Sequence, residues 1–329
     1  MTPLLDGPDG MNEASSPARL TADHLLQLPP DPQLALIFPG QGSQRVGMAR
    51  EAADSSETAA AIFAEADQAL GFPLSRLCFE GPEDALTETA NTQPAILTAS
   101  TAILAAALEA GTIDRRPAFV AGHSLGEYSA LVAVRSLDFA AAVRLVRERG
   151  RLMEEAGRAS PGTLAAVVGL DEATVEEICR ESGAEVANYN APTQTVVGGA
   201  PEAVERACAL AKERGGRGLP VRVSGAFHTS LMQPAADAYG AFLGETEIVA
   251  PAIPVVGNVS AEPLTSADEV RTDLGQQIRK PVRWYQSIDA MAAAGVRRVI
   301  EVGPGEVLTN QLKRSHPALE YYPWVKTLR

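Results

Sequence analysis

Apolar residues recur along this chain in short continuous runs that end in glycine-rich turns. Leu34 to Phe38 is one such run and ends in Pro39-Gly40-Gln41-Gly42, the pattern of a strand buried on both faces that enters a tight turn. Ala118 to Ala121 ends in Gly122-His123-Ser124-Leu125-Gly126, with a helix-like stretch from Glu127 to Val134 behind it. Arg298 to Val302 ends in Gly303-Pro304-Gly305 before a further helical stretch. Strands alternating with helices predict an α/β fold around a parallel sheet, with sites in the loops at the strand ends.

The pattern changes between Gly162 and Val223. Thr163 to Val168, Glu185 to Tyr189, Gln194 to Val197 and Leu219 to Val223 read as strands, and Asp171 to Ser182 and Pro201 to Arg214 as helices. That order is the β-α-β-β-α-β unit of a ferredoxin-like domain. A small domain at 162–223 is therefore expected inside a larger one built from 34–161 and 224–329. The first 33 residues hold Asp6, Asp9, Glu13, Asp23 and Asp31 against Arg19 alone, with scattered Pro and Ser and little apolar periodicity. They read as a mobile leader, with folding expected to begin near Leu34.

Composition narrows the function. The chain has 329 residues, 46% of them hydrophobic, which is too apolar for a disordered chain. A formal charge of −13 argues against a general nucleic-acid binder, which needs a basic surface. The three cysteines, Cys78, Cys179 and Cys208, form no CxxC pair and suggest neither a disulfide framework nor a thiolate metal site. No uncharged apolar run reaches the 18 or more residues of a membrane span, and no export signal is evident. A cytoplasmic monomer is the default expectation.

Gly122-His123-Ser124-Leu125-Gly126 fits G-x-S-x-G, in which small flanking residues let a strained strand-to-helix turn present a serine hydroxyl. Serine needs a general base. Of the four histidines, His24 lies in the leader, His316 in a Lys-Arg-rich stretch, and His123 next to the serine, where its side chain should point away. His228, in Gly225-Ala226-Phe227-His228 just before a helix-like stretch, is left, and a helix N-terminus favours the neutral imidazole that a base requires. No acidic third member is evident, so a backbone carbonyl or an amide side chain is expected to orient the ring. The N–H of Leu125 can supply one oxyanion donor. Gln41 offers a second, or else its turn is simply a turn. A dinucleotide fingerprint fails there, because Arg45 stands where the third glycine belongs.

In the helical segment Asp138 to Ala156, about 100° per residue places Val143, Gly150, Val146, Met153, Ala142, Arg149, Leu145 and Leu152 in one arc of roughly 180°. Arg149 is the only charge on it. A guanidinium directed into an apolar face needs an anion, either a protein carboxylate or a ligand carboxylate.

Taken jointly, FPGQGSQ (38–44), TQPAILTAS (92–100), GHSLGEYSAL (122–131), RGRLM (149–153), NYNAPTQTVVGG (188–199), GAFHTSLM (225–232) and EVGPGEVLT (301–309) resemble the malonyl-CoA:acyl carrier protein transacylase family of fatty-acid and polyketide synthesis. The resemblance runs from about Leu34 nearly to the C-terminus. It implies an α/β-hydrolase-like large domain with an inserted ferredoxin-like small domain, and a ping-pong transfer of malonyl from malonyl-CoA to the phosphopantetheine thiol of acyl carrier protein. It further implies Ser124 as nucleophile, His228 as base, the Gln41 and Leu125 amides as oxyanion hole, and Arg149 as ligand of the malonyl carboxylate. Gln277 matches the position whose backbone carbonyl orients the histidine, while Leu125 and Phe227 match malonyl selection. No metal, nucleotide or redox cofactor is implied. The acidic leader departs from the family. Two rivals share parts of the pattern: a serine hydrolase or thioesterase of the G-x-S-x-G type, and a noncatalytic acyl-thioester-binding protein.

Overall fold

The computed structural model describes residues 16–221 and 223–323. Strands β1 (Pro30–Phe38) and β2 (Arg116–Gly122), which carry the first two apolar runs, pair in parallel at the centre of a six-stranded sheet. Strands β3 (Thr163–Val168), β4 (Glu185–Ala191), β5 (Gln194–Gly199) and β6 (Arg217–Val221) form a second, wholly antiparallel sheet in the order β4-β5-β3-β6. The chain then returns to the first sheet through β7 (Val255–Val256), β8 (Pro263–Leu264), β9 (Arg298–Glu301) and β10 (Glu320–Pro323), giving the order β10-β9-β1-β2-β7-β8. Only β8 runs antiparallel to its neighbour there.

Register decides where a site can form. Phe38 pairs with Gly122, and Ala121 pairs with Val256. The turns after β1, β2 and β7 therefore leave one edge of the sheet together. The Thr89–Glu109 and Phe139–Ala159 helices pack against each other beside this sheet, and nearly every residue of the first is buried. The Ala-rich stretch inside it is thus a packed helix, small enough in section to lie deep in the core.

The N-terminal expectation needs correction. Residues 17–27 are a helix, capped by the Ser16 hydroxyl, which accepts from the Arg19 N–H at 3.3 Å, and opened by Pro17. Ala18 and Leu25 join the main core, Ala22 is buried beside them, and Ser16 donates to the buried Glu65 carboxylate at 2.7 Å. Strand β1 begins at Pro30 rather than Leu34. From residue 16 onward the supposed mobile leader is part of the fold, and residues 1–15 lie outside the described residues. The segment reads as polar because its buried face is mostly alanine and threonine, whereas Leu20 points outward.

The last small-domain strand also sits two residues earlier than expected. Among the described residues it is an edge strand, paired only with β3, so it accommodates Gly218 and Pro220, which would interrupt a central strand.

Candidate active site

The turn after β2 is shaped by its glycines. A Cβ on Gly122 would lie 1.9 Å from the carbonyl carbon of Gly126, and one on Gly126 would lie 2.0 Å from the Phe38 oxygen. Only hydrogen fits in either place. Between them Ser124 adopts φ +51°, a left-handed conformation uncommon for a non-glycine residue, ahead of the Gly126–Ala133 helix. Asn258, in the loop after β7, clasps the turn: its Oδ1 accepts from the Ser124 N–H and its Nδ2 donates to the Gly122 carbonyl, both at 2.6 Å.

The structure brings His228 to this serine across 104 residues of chain. Its Nε2 lies 2.9 Å from Ser124 Oγ, and its Nδ1 lies 2.7 Å from the main-chain carbonyl of Gln277. A carbonyl only accepts, so Nδ1 carries the proton and Nε2 presents its lone pair to the hydroxyl. Burial, and then the nearby Arg149 charge, push the His228 pKa down to about 3. The ring is therefore neutral at pH 7. His123 turns away as expected, bonded to Asn190 at 3.0 Å and edge-on to Trp284.

Arg149 comes from the inward face of the Phe139–Ala159 helix and is 1% exposed. Its Nη1 donates to Gln93 Oε1 at 2.8 Å, and its Nη2 donates to Gln277 Oε1 at 2.8 Å and to Ser124 Oγ at 3.1 Å. The guanidinium also lies 5.4 Å from the centre of the Tyr128 ring. All these partners are neutral. Among the described residues no carboxylate forms an ion pair with Arg149, and its Nε–H has no acceptor.

A cleft of about 330 Å³ opens over these groups. Gln41, Leu125 and Phe227 line it with Ser124, Arg149 and His228, and its roof is one face of the small antiparallel sheet. Leu125 immediately precedes the helix behind the serine, so its N–H belongs to the helix N-terminus. Gln41 sits in the turn after β1, its side chain bonded to Thr89.

Residue-level reading missed four partners. Gln93 and Asn258 are described above; Glu127 and Asp273 lie behind Gln277. Asn258 follows a short apolar strand in the same way as Gln41 and Ser124 follow theirs, and that parallel was the available signal. Gln93 falls inside one of the family motifs, but a glutamine in an apolar helix does not announce its partner.

A family model described as the acyl transferase domain matches residues 35–321. Malonyl CoA-acyl carrier protein transacylase of Escherichia coli K12 is 46% identical over 287 residues, covering 86% of this chain and 92% of that protein. The protein of the same name from Bacillus subtilis 168 is 43% identical over 294 residues, covering 88% and 92%. Among solved structures, an acyl carrier protein S-malonyltransferase from Vibrio cholerae superposes with a TM-score of 0.85 at 42% identity, covering 88% of this chain and 96% of that one. A malonyl-transacylase solved in complex with its type II PKS acyl-carrier protein gives 0.86 at 39% identity, covering 90% and 99%. The chain belongs to the acyl transferase family and, within it, to the malonyl CoA-acyl carrier protein transacylases.

Proposed function

We propose that this chain transfers a malonyl group from malonyl-CoA to the phosphopantetheine thiol of acyl carrier protein through a malonyl ester on Ser124. One observation carries the reading beyond family membership: a buried arginine with no carboxylate partner among the described residues stands 3.1 Å from the hydroxyl paired with a neutral histidine. An apolar acyl group would leave that charge buried and uncompensated, whereas a malonyl carboxylate meets it.

In the first half-reaction His228 Nε2 takes the Ser124 proton as Oγ attacks the thioester carbonyl. The Gln41 and Leu125 amides receive the oxyanion, the C–S bond breaks, and the CoA sulfur leaves with the proton held by His228. Nη2 of Arg149 is then released from the hydroxyl and, with the remaining Nη1 hydrogen, can hold the malonyl carboxylate by two bonds. In the second half-reaction the carrier thiol gives its proton to His228 and attacks the ester, and the serine leaves protonated. Gln277 orients the base, and Leu125 and Phe227 form the wall against the acyl chain. The reaction written this way draws on no metal, nucleotide or redox cofactor.

The relative solved with its acyl-carrier protein supports a carrier as second substrate. Among the described residues no helix is long and apolar enough to cross a membrane. A cytoplasmic setting fits the three free cysteines, which stay reduced there. A hydrolase reading is disfavoured by Arg149, which serves a neutral ester poorly.

Intact-mass measurement tests the proposal. Malonyl-CoA alone should add one malonyl group at Ser124, and holo acyl carrier protein added next should remove it and carry the same mass. A protein that stays unmodified, or an adduct that water clears as fast as the carrier does, would overturn it.

A further inference from the structure

Glu127 lies on the helix immediately behind the nucleophile and is fully buried. Its Oε2 accepts from Gln277 Nε2, while its Oε1 meets no donor. The carboxyl it touches belongs to Asp273, which is also buried. Asp273 is differently placed, because its two oxygens accept from the Val259 and Ser260 main-chain N–H groups at 3.2 to 3.3 Å. Two carboxylates in contact in a dry site do not both ionise. The one with several N–H donors keeps the charge, and the one with an orphaned oxygen takes the proton.

We propose that Glu127 is a positioning residue that holds a proton on Oε1 and donates it to Asp273, and that this shared proton fixes the Gln277 side chain between Ser124 and Arg149. The O–H satisfies the one Glu127 oxygen that lacks a partner. Burial raises the Glu127 pKa well above the ordinary carboxylate range, and the Asp273 charge pushes it the same way. Burial raises Asp273 as well, but its N–H donors pull it back.

Two consequences follow for the reaction. Gln277 Nε2 donates to Glu127 and to the Ser124 carbonyl, so its Oε1 faces Arg149 and its main-chain oxygen faces His228. Asp273 grips 259–260, next to the Asn258 that clasps the nucleophile turn. One proton thus joins the support of the base to the support of the serine. It also leaves a single anion where two would screen the Arg149 charge from a substrate carboxylate.

The inference deepens the reading of the site given above and rests on it only for its kinetic test. In infrared spectra at neutral pH, the wild-type minus Glu127→Gln difference should show a protonated carboxyl stretch that shifts on exchange into D₂O. Absence of that band overturns the proposal, whatever the enzyme's substrate. In the kinetic test, CoA release from malonyl-CoA should stay within about threefold of wild type for Glu127→Gln, whose amide donates to Asp273 and accepts from Gln277. Glu127→Ala should lose about tenfold or more, the scale of a broken buried hydrogen bond. Loss in Glu127→Gln equal to that in Glu127→Ala, or no loss in either, overturns it. Should Glu127→Ala fail to fold, the spectrum and the glutamine variant decide. A wild-type protein that releases no CoA while showing the carboxyl band would instead defeat the assigned reaction and leave the proton where it is placed.

Discussion

Arg149 donates to the hydroxyl of Ser124 at 3.1 Å while forming no ion pair among the described residues. The helix pattern alone leaves a structural ion pair and a ligand-binding arginine both open, and the lack of a carboxylate partner among the described residues supports the second, as proposed above. Arg149→Ala should lower malonyl transfer by about 10- to 100-fold, the scale of a hydrogen bond to a charged group. Acetyl transfer should hold or rise, because a group lacking a carboxylate no longer faces an uncompensated cation. Lysine should rescue in part, keeping the charge without the planar fork. Parallel rates with malonyl-CoA and acetyl-CoA check this, and an unchanged preference would retire the role.

Ser124→Ala should abolish the covalent malonyl adduct and leave the circular dichroism spectrum intact, since among the described residues no other hydroxyl bonds His228 Nε2. His228→Ala should slow acylation by roughly 10² to 10⁴, the usual range for losing a general base. Rapid-quench mass spectrometry reads both outcomes, and an adduct surviving in Ser124→Ala would place the nucleophile elsewhere.

The depressed His228 pKa, about 3 against an ordinary 6.5, sets a pH signature. A base must be neutral, so inactivation of Ser124 by an uncharged sulfonyl fluoride should be flat from pH 7.5 to 5 and fall only as pH approaches 3. A midpoint near 6.5 would show a solvent-exposed imidazole. The unfolded chain binds a proton below 6.5 that the folded state refuses, so this residue lowers stability progressively as pH drops from 6.5 toward 3. That contribution is absent above 6.5.

Helix Pro17–Gln27 should behave as part of the domain. Leu25 is fully buried in the main core, and Leu25→Ala should cost about 2 to 5 kcal/mol, as large-to-small core changes do. Removing residues 1–28 should lower the urea midpoint further, because it also strips the Ser16 partner from Glu65. An unmoved midpoint in the truncated protein would mean the helix is an appendage.

To dock an acidic carrier protein, a chain of charge −13 needs local basic residues. Arg217 is exposed on edge strand β6, and Arg279, Lys280 and Arg283 follow Gln277. Arg217→Glu should slow malonyl transfer to the carrier more than acylation by malonyl-CoA. Equal effects on both half-reactions would argue that Arg217 is only solvated surface charge.

The sequence alone makes legible what local physics dictates. The serine turn was legible because its glycines, strand and helix lie within a few residues. Arg149 was legible because helical periodicity sets its direction whatever the rest of the chain does. His228 emerged by elimination among four histidines. Its support by Gln277 came only through family resemblance, since a main-chain carbonyl 49 residues away leaves no mark on composition. Asn258, Gln93, Glu127 and Asp273 act through contacts made by tertiary packing, for which no spacing rule exists. Helix Pro17–Gln27 does not stand out in the sequence because alanine and threonine bury well against an alanine-rich neighbour while contributing little to an apolar pattern.

The small sheet that roofs the cleft presents a different set of side chains on each face. In β3 and β5 the even-numbered Leu164, Ala166, Gln194 and Val196 line the cleft, whereas Ala165, Val167 and Val197 pack beneath the helices on the other side. Parity therefore divides these strands into residues that face the cleft and residues that pack beneath the helices. Changes at Ala166 and Gln194 would re-line the roof without touching the core beneath the helices, whereas Leu164 and Val196 also pack with Ala187 and Ala226, and a one-residue slip in register would exchange the two sets at once.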